Sequence, residues 1–373
     1  MVLSMRFAAC VAMLVLLGGV GACGKPEPVR LGFVGGLSGR VADLGIGGRN
    51  GATIAVEEIN AAGGVKGRPV ELLVRNDEQD PKLALKAVDE LLALPVDAIV
   101  GHTTSAMSVT TVARVSERKV VMVSPTSTTD ELSQRDDYFF RVVAATRDNA
   151  ARNAGYYLAR GFKRAAVIYD LNNRAYSESW FKAFATPFLQ GGGQLLSVST
   201  FTSRPEIHFG ELADAALAKS PELVILVTNA VDTALIAQQI RKRTPSVQLA
   251  TSEWGGSEKL IEMGGRAVDG MLVSQYFDRN STAATYAEFK RRYLQRFGEE
   301  PGYAAVCGYD AARLVLIGLQ AQKGGEHLKQ TLLRLGRFEL SQGPLMIDRF
   351  GDAKRAIVIT VVRDGHFEVV LGP

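Results

Sequence analysis

The chain is poor in the residues that usually announce chemistry. Its four histidines are His102, His208, His327 and His366, and no two stand at metal-ligand spacing. Neither a CxxC nor an HExxH motif occurs, so the sequence offers no zinc site. No GxSxG elbow is present, and His102 three residues before Ser105 in one turn does not make a triad. Hydrolase chemistry therefore lacks its parts. Three cysteines, Cys10, Cys23 and Cys307, are too few for a disulfide framework. Runs of like charge are also missing. The 43 Lys and Arg are scattered against 39 Asp and Glu, and a net charge of +4 asks for no nucleic-acid partner. Gly45-x-Gly47 lacks dinucleotide-binding spacing, and the P-loop-like stretch Gly19–Lys25 fails at Pro26, where Ser or Thr is needed. No metal and no cofactor is expected, and the chain does not read as an enzyme.

What is present describes an exported, globular, two-domain protein. The 373 residues are 47% apolar and 22% charged, and at about 150 residues per domain they suggest two cores. The 38 glycines point to many tight strand-to-helix turns. Residues 1–22 have the form of an export signal: Arg6 is a short positive region, Phe7 to Leu17 are apolar, and Gly18-Gly19 breaks the run. That stretch is shorter than the roughly 20 apolar residues a membrane span needs. Val20-Gly21-Ala22-Cys23 resembles the bacterial lipobox, which implies cleavage before Cys23, a diacylglyceryl group on its thiol and a short tether over 23–28. With no second long apolar segment read from the chain, the expectation is a lipid-anchored, otherwise soluble protein in the cell envelope. Cys307, in Ala304-Ala305-Val306-Cys307, reads as a small buried residue.

The mature chain alternates strand and helix patterns. Val29–Val34 is strand-like, and Ala52, Ala55, Val56 and Ile59 then recur at helix spacing up to Gly63-Gly64. Val70–Val74 is a strand, and Asp80-Pro81 opens a helix as cap and first residue. Ala98–Val100 and Val120–Val123 are short buried strands. The rhythm repeats with Ala165–Tyr169, Leu195–Ser199, Leu223–Val227, Gln248–Ala250 and Met271–Val273, with helices between them. Helical patterns follow over 286–297, 303–321 and 328–335, and strands over 345–347, 356–362 and 367–370. Alternating βαβ units build parallel sheets covered on both faces, so two such blocks imply an α/β protein of two doubly wound, Rossmann-like lobes.

In such sheets ligands bind beyond the carboxyl ends of the strands, where helix N-termini point. The polar turns there are Gly101-His102-Thr103-Thr104-Ser105, Ser124-Pro125-Thr126-Ser127-Thr128-Thr129, Thr228-Asn229-Ala230 and Thr251-Ser252-Glu253-Trp254-Gly255. Hydroxyls and N–H groups of the first two suit an anion, and the Glu253 carboxylate suits a cation, a combination that fits a zwitterion. Position alone leaves the alternative that these Ser and Thr are plain helix caps and Glu253 a solvated side chain.

Several segments carry a resemblance. These are Gly36-Leu37-Ser38-Gly39, the run from Gly51-Ala52 through Val56-Glu57-Glu58-Ile59-Asn60-Ala61-Ala62-Gly63-Gly64-Val65-Lys66-Gly67, and Asp77-Glu78-Gln79-Asp80-Pro81. Further on come Val100-Gly101-His102 with Ser105, Ser124-Pro125, Phe140-Arg141 and Gly308-Tyr309-Asp310-Ala311. In this order they resemble the periplasmic leucine/isoleucine/valine-binding protein family, the type I receptors of branched-chain amino acid ABC importers. The resemblance implies three crossovers between the lobes, near Phe140–Val143, Ser274–Tyr276 and Gly343–Asp348. It also implies lobes of 29–141 plus 276–345 and 142–275 plus 346–373. A monomer is implied, working with permease and ATPase subunits.

Residue by residue, Ser105 and Thr128 match the family's carboxylate contacts. Thr126, or Ser127 beside it, falls where a backbone carbonyl receives the ammonium. Glu253 matches the acidic partner of that ammonium, and Tyr176 matches a tyrosine that covers the ligand. The chain also departs from the family pattern. Leu44 and Asn229 stand where branched-chain binders carry aromatics, Trp254 adds bulk beside Glu253, and Asn172-Asn173-Arg174-Ala175 replaces a short Gly-containing loop. The implied ligand is an amino acid, aliphatic or branched-chain. The alternatives are an amide, urea or an aromatic acid, or a sensor that signals to a partner protein.

Overall fold

A computed structural model describes residues 26–372, so the leader and Cys23 lie outside the described residues. The chain runs β1 Val29–Gly35, α1 Ala42–Ala61, β2 Val70–Asn76, α2 Pro81–Leu92, β3 Ala98–Val100, α3 Ser105–Glu117, β4 Met122–Ser124 and β5 Phe139–Arg141. It continues with α4 Thr146–Ala159, β6 Arg164–Asp170, α5 Arg174–Gln190, β7 Gln194–Phe201, α6 Phe209–Leu217, β8 Leu223–Val227, α7 Ala230–Arg243, β9 Gln248–Thr251, α8 Glu258–Gly264 and β10 Leu272–Gln275. The last part holds α9 Ala284–Phe297, α10 Tyr303–Ala321, α11 Leu328–Leu335, β11 Arg337–Leu340, β12 Gly343–Ile347, β13 Ala353–Lys354, β14 Val358–Arg363 and β15 His366–Leu371.

Two sheets form the lobes. One has order β2-β1-β3-β4-β5 and is parallel throughout; the other has order β15-β14-β10-β9-β8-β6-β7 and is parallel except for β14 and β15. The central strands are buried on both faces because helices cover both, and all five residues of β8 are buried. Local signals act as read from sequence. Asp80 accepts hydrogen bonds from the N–H groups of Lys82 (2.8 Å) and Leu83 (3.0 Å), and Pro81 opens α2.

The first lobe is closed by a helix pair rather than by its own sheet. Helix α10 returns from the far end of the chain and packs on α1. Glycines set the approach: a Cβ on Gly51 would lie 1.9 Å from the Ala305 carbonyl oxygen, and one on Gly308 would lie 2.2 Å from that of Gly48. Helix α10 also corrects the hydropathy reading. Its 19 residues are long and apolar enough to cross a membrane, yet 78% of the apolar window is buried inside the protein, and it serves as a core helix.

One crossing differs from the sequence reading. Residues Phe139–Arg141 pair with β4 as a full strand, and the chain leaves the first sheet after Arg141. The expected third crossing at Gly343–Asp348 moves later. Strand β12 pairs with β11 and β13 in a small antiparallel sheet, and the Arg141 N–H donates to the Gly351 carbonyl at 3.2 Å. Arg355 then pairs with buried Asp310 at 2.9 Å, and the chain joins the second sheet at Val358. A hairpin preference in Arg337–Leu340 escaped the sequence reading because the run is short and half charged.

The α1–α10 contact yields a stability test. Gly51→Ala and Gly308→Ala should each cost about 1–3 kcal/mol through overpacking, read as a Tm lower by several degrees. Gly155→Ala on α4, where an added Cβ meets nothing within 4 Å, should leave Tm unchanged or raise it.

Candidate functional site

The polar turns form because parallel strands deliver the chain to one edge of each sheet. At the end of β3, Gly101 has φ +140°, and a Cβ there would sit 2.3 Å from the Val34 carbonyl oxygen, so only glycine fits so close to β1. The buried His102 ring that follows is held by Asp77, Nδ1 to Oδ2 at 2.6 Å, and its carbonyl accepts from the Ser124 hydroxyl at 2.6 Å. That anchor fixes Thr103 and Thr104 and starts α3 at Ser105. Ser105 Oγ accepts from the N–H groups of Thr128 (3.2 Å) and Thr129 (3.3 Å), which leaves its own hydroxyl hydrogen free to donate.

The second turn is clamped from below by Arg141, whose side chain is fully buried. Its Nη1 donates to the carbonyls of Thr128 (2.9 Å) and Thr129 (3.1 Å), and its Nη2 meets Ser133 Oγ and the Asp352 carboxylate at 2.7 Å. Thr126 donates its hydroxyl to the Thr103 carbonyl at 2.6 Å, tying the two turns together.

Glu253 faces them from the second lobe, in a single helical turn after β9. The residue is buried, and one carboxylate oxygen accepts from the Tyr176 hydroxyl at 2.7 Å. Its other oxygen, Oε1, is buried with no hydrogen-bond partner, as are Trp254 Nε1 and Thr103 Oγ1. Burial raises the Glu253 carboxyl above its ordinary value, opposed in part by the Tyr176 hydrogen bond. Burial beside that carboxylate also pushes the Tyr176 hydroxyl well up, so it stays a donor. The Tyr176 and Trp254 rings meet edge to face, centroids 5.9 Å apart.

These groups converge on one narrow interlobe cavity of about 20 Å³, room for about one water molecule with the lobes in this arrangement. Leu44, Thr103, Ser105, Thr126 and Tyr303 come from the first lobe; Asn173, Tyr176, Glu253 and Trp254 come from the second; Tyr276 comes from the crossing after β10. Six of the residues read from sequence therefore meet there: Leu44, Ser105, Thr126, Tyr176, Glu253 and Trp254. Three others do not line it. Thr128 sits one hydrogen bond behind Ser105, its hydroxyl accepting from that of Thr146 at 2.8 Å. Ser127 turns inward to Ser108 Oγ (2.7 Å) and the His102 carbonyl (3.2 Å). Asn229 is the cap of α7, both ends of its amide engaged with Asp232, so the plain-cap alternative holds there. Tyr276 and Tyr303 were not read as site residues, while Thr103 was read only within its polar turn and Asn173 only within a loop that departs from the family pattern. A tyrosine inside a lobe crossing was the one available signal, at Tyr276. Among the described residues no group of three or more His, Cys, Asp or Glu is placed to hold a metal ion.

Polar contacts ring the cavity and join the lobes. Arg40 pairs with fully buried Asp232 at 2.5 Å, Ser257 Oγ contacts the Asp43 carboxylate, Ser179 donates to Asp130 at 2.9 Å, and Asn173 accepts from the Ala106 N–H at 3.0 Å.

Comparison with known proteins bears on this geometry. The family model described as periplasmic binding protein matches residues 28–366. The leucine-, isoleucine-, valine-, threonine- and alanine-binding protein of Pseudomonas aeruginosa is 23% identical over 358 residues, covering 94% of this chain and 93% of its own. A leucine-binding protein crystal structure from Thermotoga maritima superposes with a TM-score of 0.84 at 25% identity, covering 91% of this chain and 97% of its own. A solute-binding protein of an ABC transporter from R. palustris, solved with benzoate, gives the same TM-score at 18% identity, covering 92% and 96%.

An uncompensated buried carboxylate has a stability signature. Because the folded-state value of Glu253 lies above its unfolded value, the ligand-free protein loses stability as pH rises through that raised value. Glu253→Gln keeps an acceptor for Tyr176 and removes the charge. Thermal melts of the ligand-free proteins should show the variant more stable near neutral pH, with the difference shrinking on acidification. A variant less stable at every pH contradicts the assignment.

Proposed function

We propose a function from the premise that this chain belongs to the periplasmic binding protein family, the solute-binding receptors of bacterial ABC importers rather than enzymes. It is an extracytoplasmic receptor that closes its two lobes over an α-amino acid and presents the closed form to a membrane permease. Cleavage before Cys23 and acylation of its thiol tether it to the membrane.

One observation carries this reading: Glu253 Oε1 is a buried, unpartnered carboxylate oxygen lining the same cavity as a serine with a free hydroxyl hydrogen. A buried carboxylate costs several kcal/mol unless a cation joins it. A ligand ammonium supplies that cation, and Ser105 at the N-terminus of α3 takes the ligand carboxylate, where the helix dipole favours negative charge. The backbone carbonyl of Thr126, a residue that lines the cavity, is the second acceptor for the ammonium in this reading. Leu44, Tyr176, Trp254 and Tyr303 give the cavity its apolar lining, which suits an aliphatic side chain once the lobes part to admit it. The names of the P. aeruginosa and T. maritima relatives agree with that class. Ligand binding makes and breaks no covalent bond. Binding draws its energy from pairing charges that are already desolvated.

An amide is the second reading, since its NH2 can donate to Glu253 and its carbonyl can accept from Ser105. A simple aromatic acid such as benzoate fits less well, because Glu253 repels a lone anion. A thermal-shift panel of amino acids, carboxamides and aromatic acids separates the three, because a ligand of the folded state raises Tm. Aliphatic amino acids should give the largest shifts, and Glu253→Ala should abolish them with the fold intact; unchanged shifts in the variant refute the clamp. Cell fractionation tests the tether: Cys23→Ser should move the protein from the membrane to the soluble fraction, and retention on the membrane refutes lipid anchoring.

A further inference from the structure

Asn173 lies where the sequence departs from the family pattern, and its surroundings give it a defined task. It closes a single helical turn, Leu171–Asn173, that is pinned at its start by Asp170, whose Oδ1 accepts from the N–H groups of Asn172 and Ser203, both at 2.9 Å. From there Asn173 reaches out of the second lobe and accepts the N–H of Ala106, the second residue of α3 in the first lobe, at 3.0 Å. A backbone N–H can only donate, so the side-chain atom facing it is the carbonyl oxygen, and the amide orientation is fixed. The opposite end of the amide, the Nδ2 group with two hydrogens, is therefore turned away from Ala106. Asn173 is 3% exposed and lines the cavity with Ser105, and among the described residues nothing accepts from Nδ2.

We infer that Asn173 Nδ2 is the second lobe's donor to the ligand carboxylate, so that one side chain grips both the ligand and the helix that holds it. Ser105 donates to the carboxylate from the first lobe, and Asn173 donates from across the cleft. The carboxylate is then bridged between the lobes as the ammonium is by Thr126 and Glu253, and closure and binding draw on the same side chain. This rests on the amino-acid reading above and adds to it a residue that only the closed arrangement brings into place.

Two substitutions separate gripping the ligand from latching the lobes. Asn173→Asp keeps an oxygen to accept the Ala106 N–H, with a charge that suits a helix N-terminus, but it sets a carboxylate against the ligand carboxylate. Asn173→Ala loses both contacts without adding repulsion. Calorimetric titration is run on wild type and both variants, using whichever of L-leucine, L-valine and L-alanine the wild type binds most tightly. Asn173→Ala should weaken binding about tenfold or more. Asn173→Asp should weaken it further. Binding by Asn173→Asp that equals or exceeds that of Asn173→Ala overturns the inference, because a latch alone survives in the aspartate variant. L-leucinamide, which has no carboxylate, should not discriminate against the aspartate variant relative to the alanine one. A wild type that binds none of the three amino acids is a separate outcome, which overturns the amino-acid reading and the inference with it.

Discussion

A carboxylate removed from water with one oxygen left unsatisfied is the constraint around which this molecule is arranged. Glu253 costs the folded protein stability until a cation reaches Oε1, and the Tyr176 hydroxyl is the largest internal relief, with the backbone N–H of Glu253 and the Trp180 indole adding less. In the function proposed above, that cost is the source of selectivity. A ligand without a positive or hydrogen-bond-donating group leaves the oxygen unpaired in a narrow cleft between the lobes. The opposite pole uses no charged side chain. In the proposed binding mode it relies on a helix N-terminus, hydroxyls and backbone N–H groups, which suit an anion without a large desolvation debt when it leaves.

The fold supplies this polarity by bringing the ends of two parallel sheets face to face. Each site turn is braced by buried groups that never touch the cavity: Asp77 behind His102, Arg141 under Thr128 and Thr129, Asp170 under the turn that carries Asn173. Around the rim, the Arg40–Asp232, Asp43–Ser257 and Asp130–Ser179 contacts couple lobe position to burial. Asp232 is fully buried and takes its cation from the other lobe, so separating the lobes leaves it without that partner. Opening therefore has its own cost, apart from any ligand.

Ser105, Thr126 and Glu253 were legible in the sequence because they follow recognisable buried strands, and strand ends in a parallel sheet are where ligands meet helix N-termini. Tyr176 was legible through the family resemblance. Tyr303 and Tyr276 were not, since one opens a helix more than 250 residues from its cavity neighbour Leu44 and the other lies in a crossing, and no local periodicity links them. Asn229 shows the converse. A polar residue at a strand end with an acidic residue three positions on is also an ordinary cap, and here packing chose the cap. The apolar run 303–321 looked unremarkable beside the leader, yet it is the helix that closes the first lobe, and the glycines that let it approach α1 are visible in sequence only once the partner helix is known.

The central claim is an orientation: ammonium at Glu253, carboxylate between Ser105 and Asn173. A crystal structure of the protein grown with the tightest-binding amino acid tests it most directly. The account predicts the ligand nitrogen within hydrogen-bond distance of Glu253 Oε1 and the Thr126 carbonyl, with a carboxylate oxygen on Ser105 Oγ. A ligand bound in the reverse orientation, or one seated outside the interlobe cavity, would contradict it.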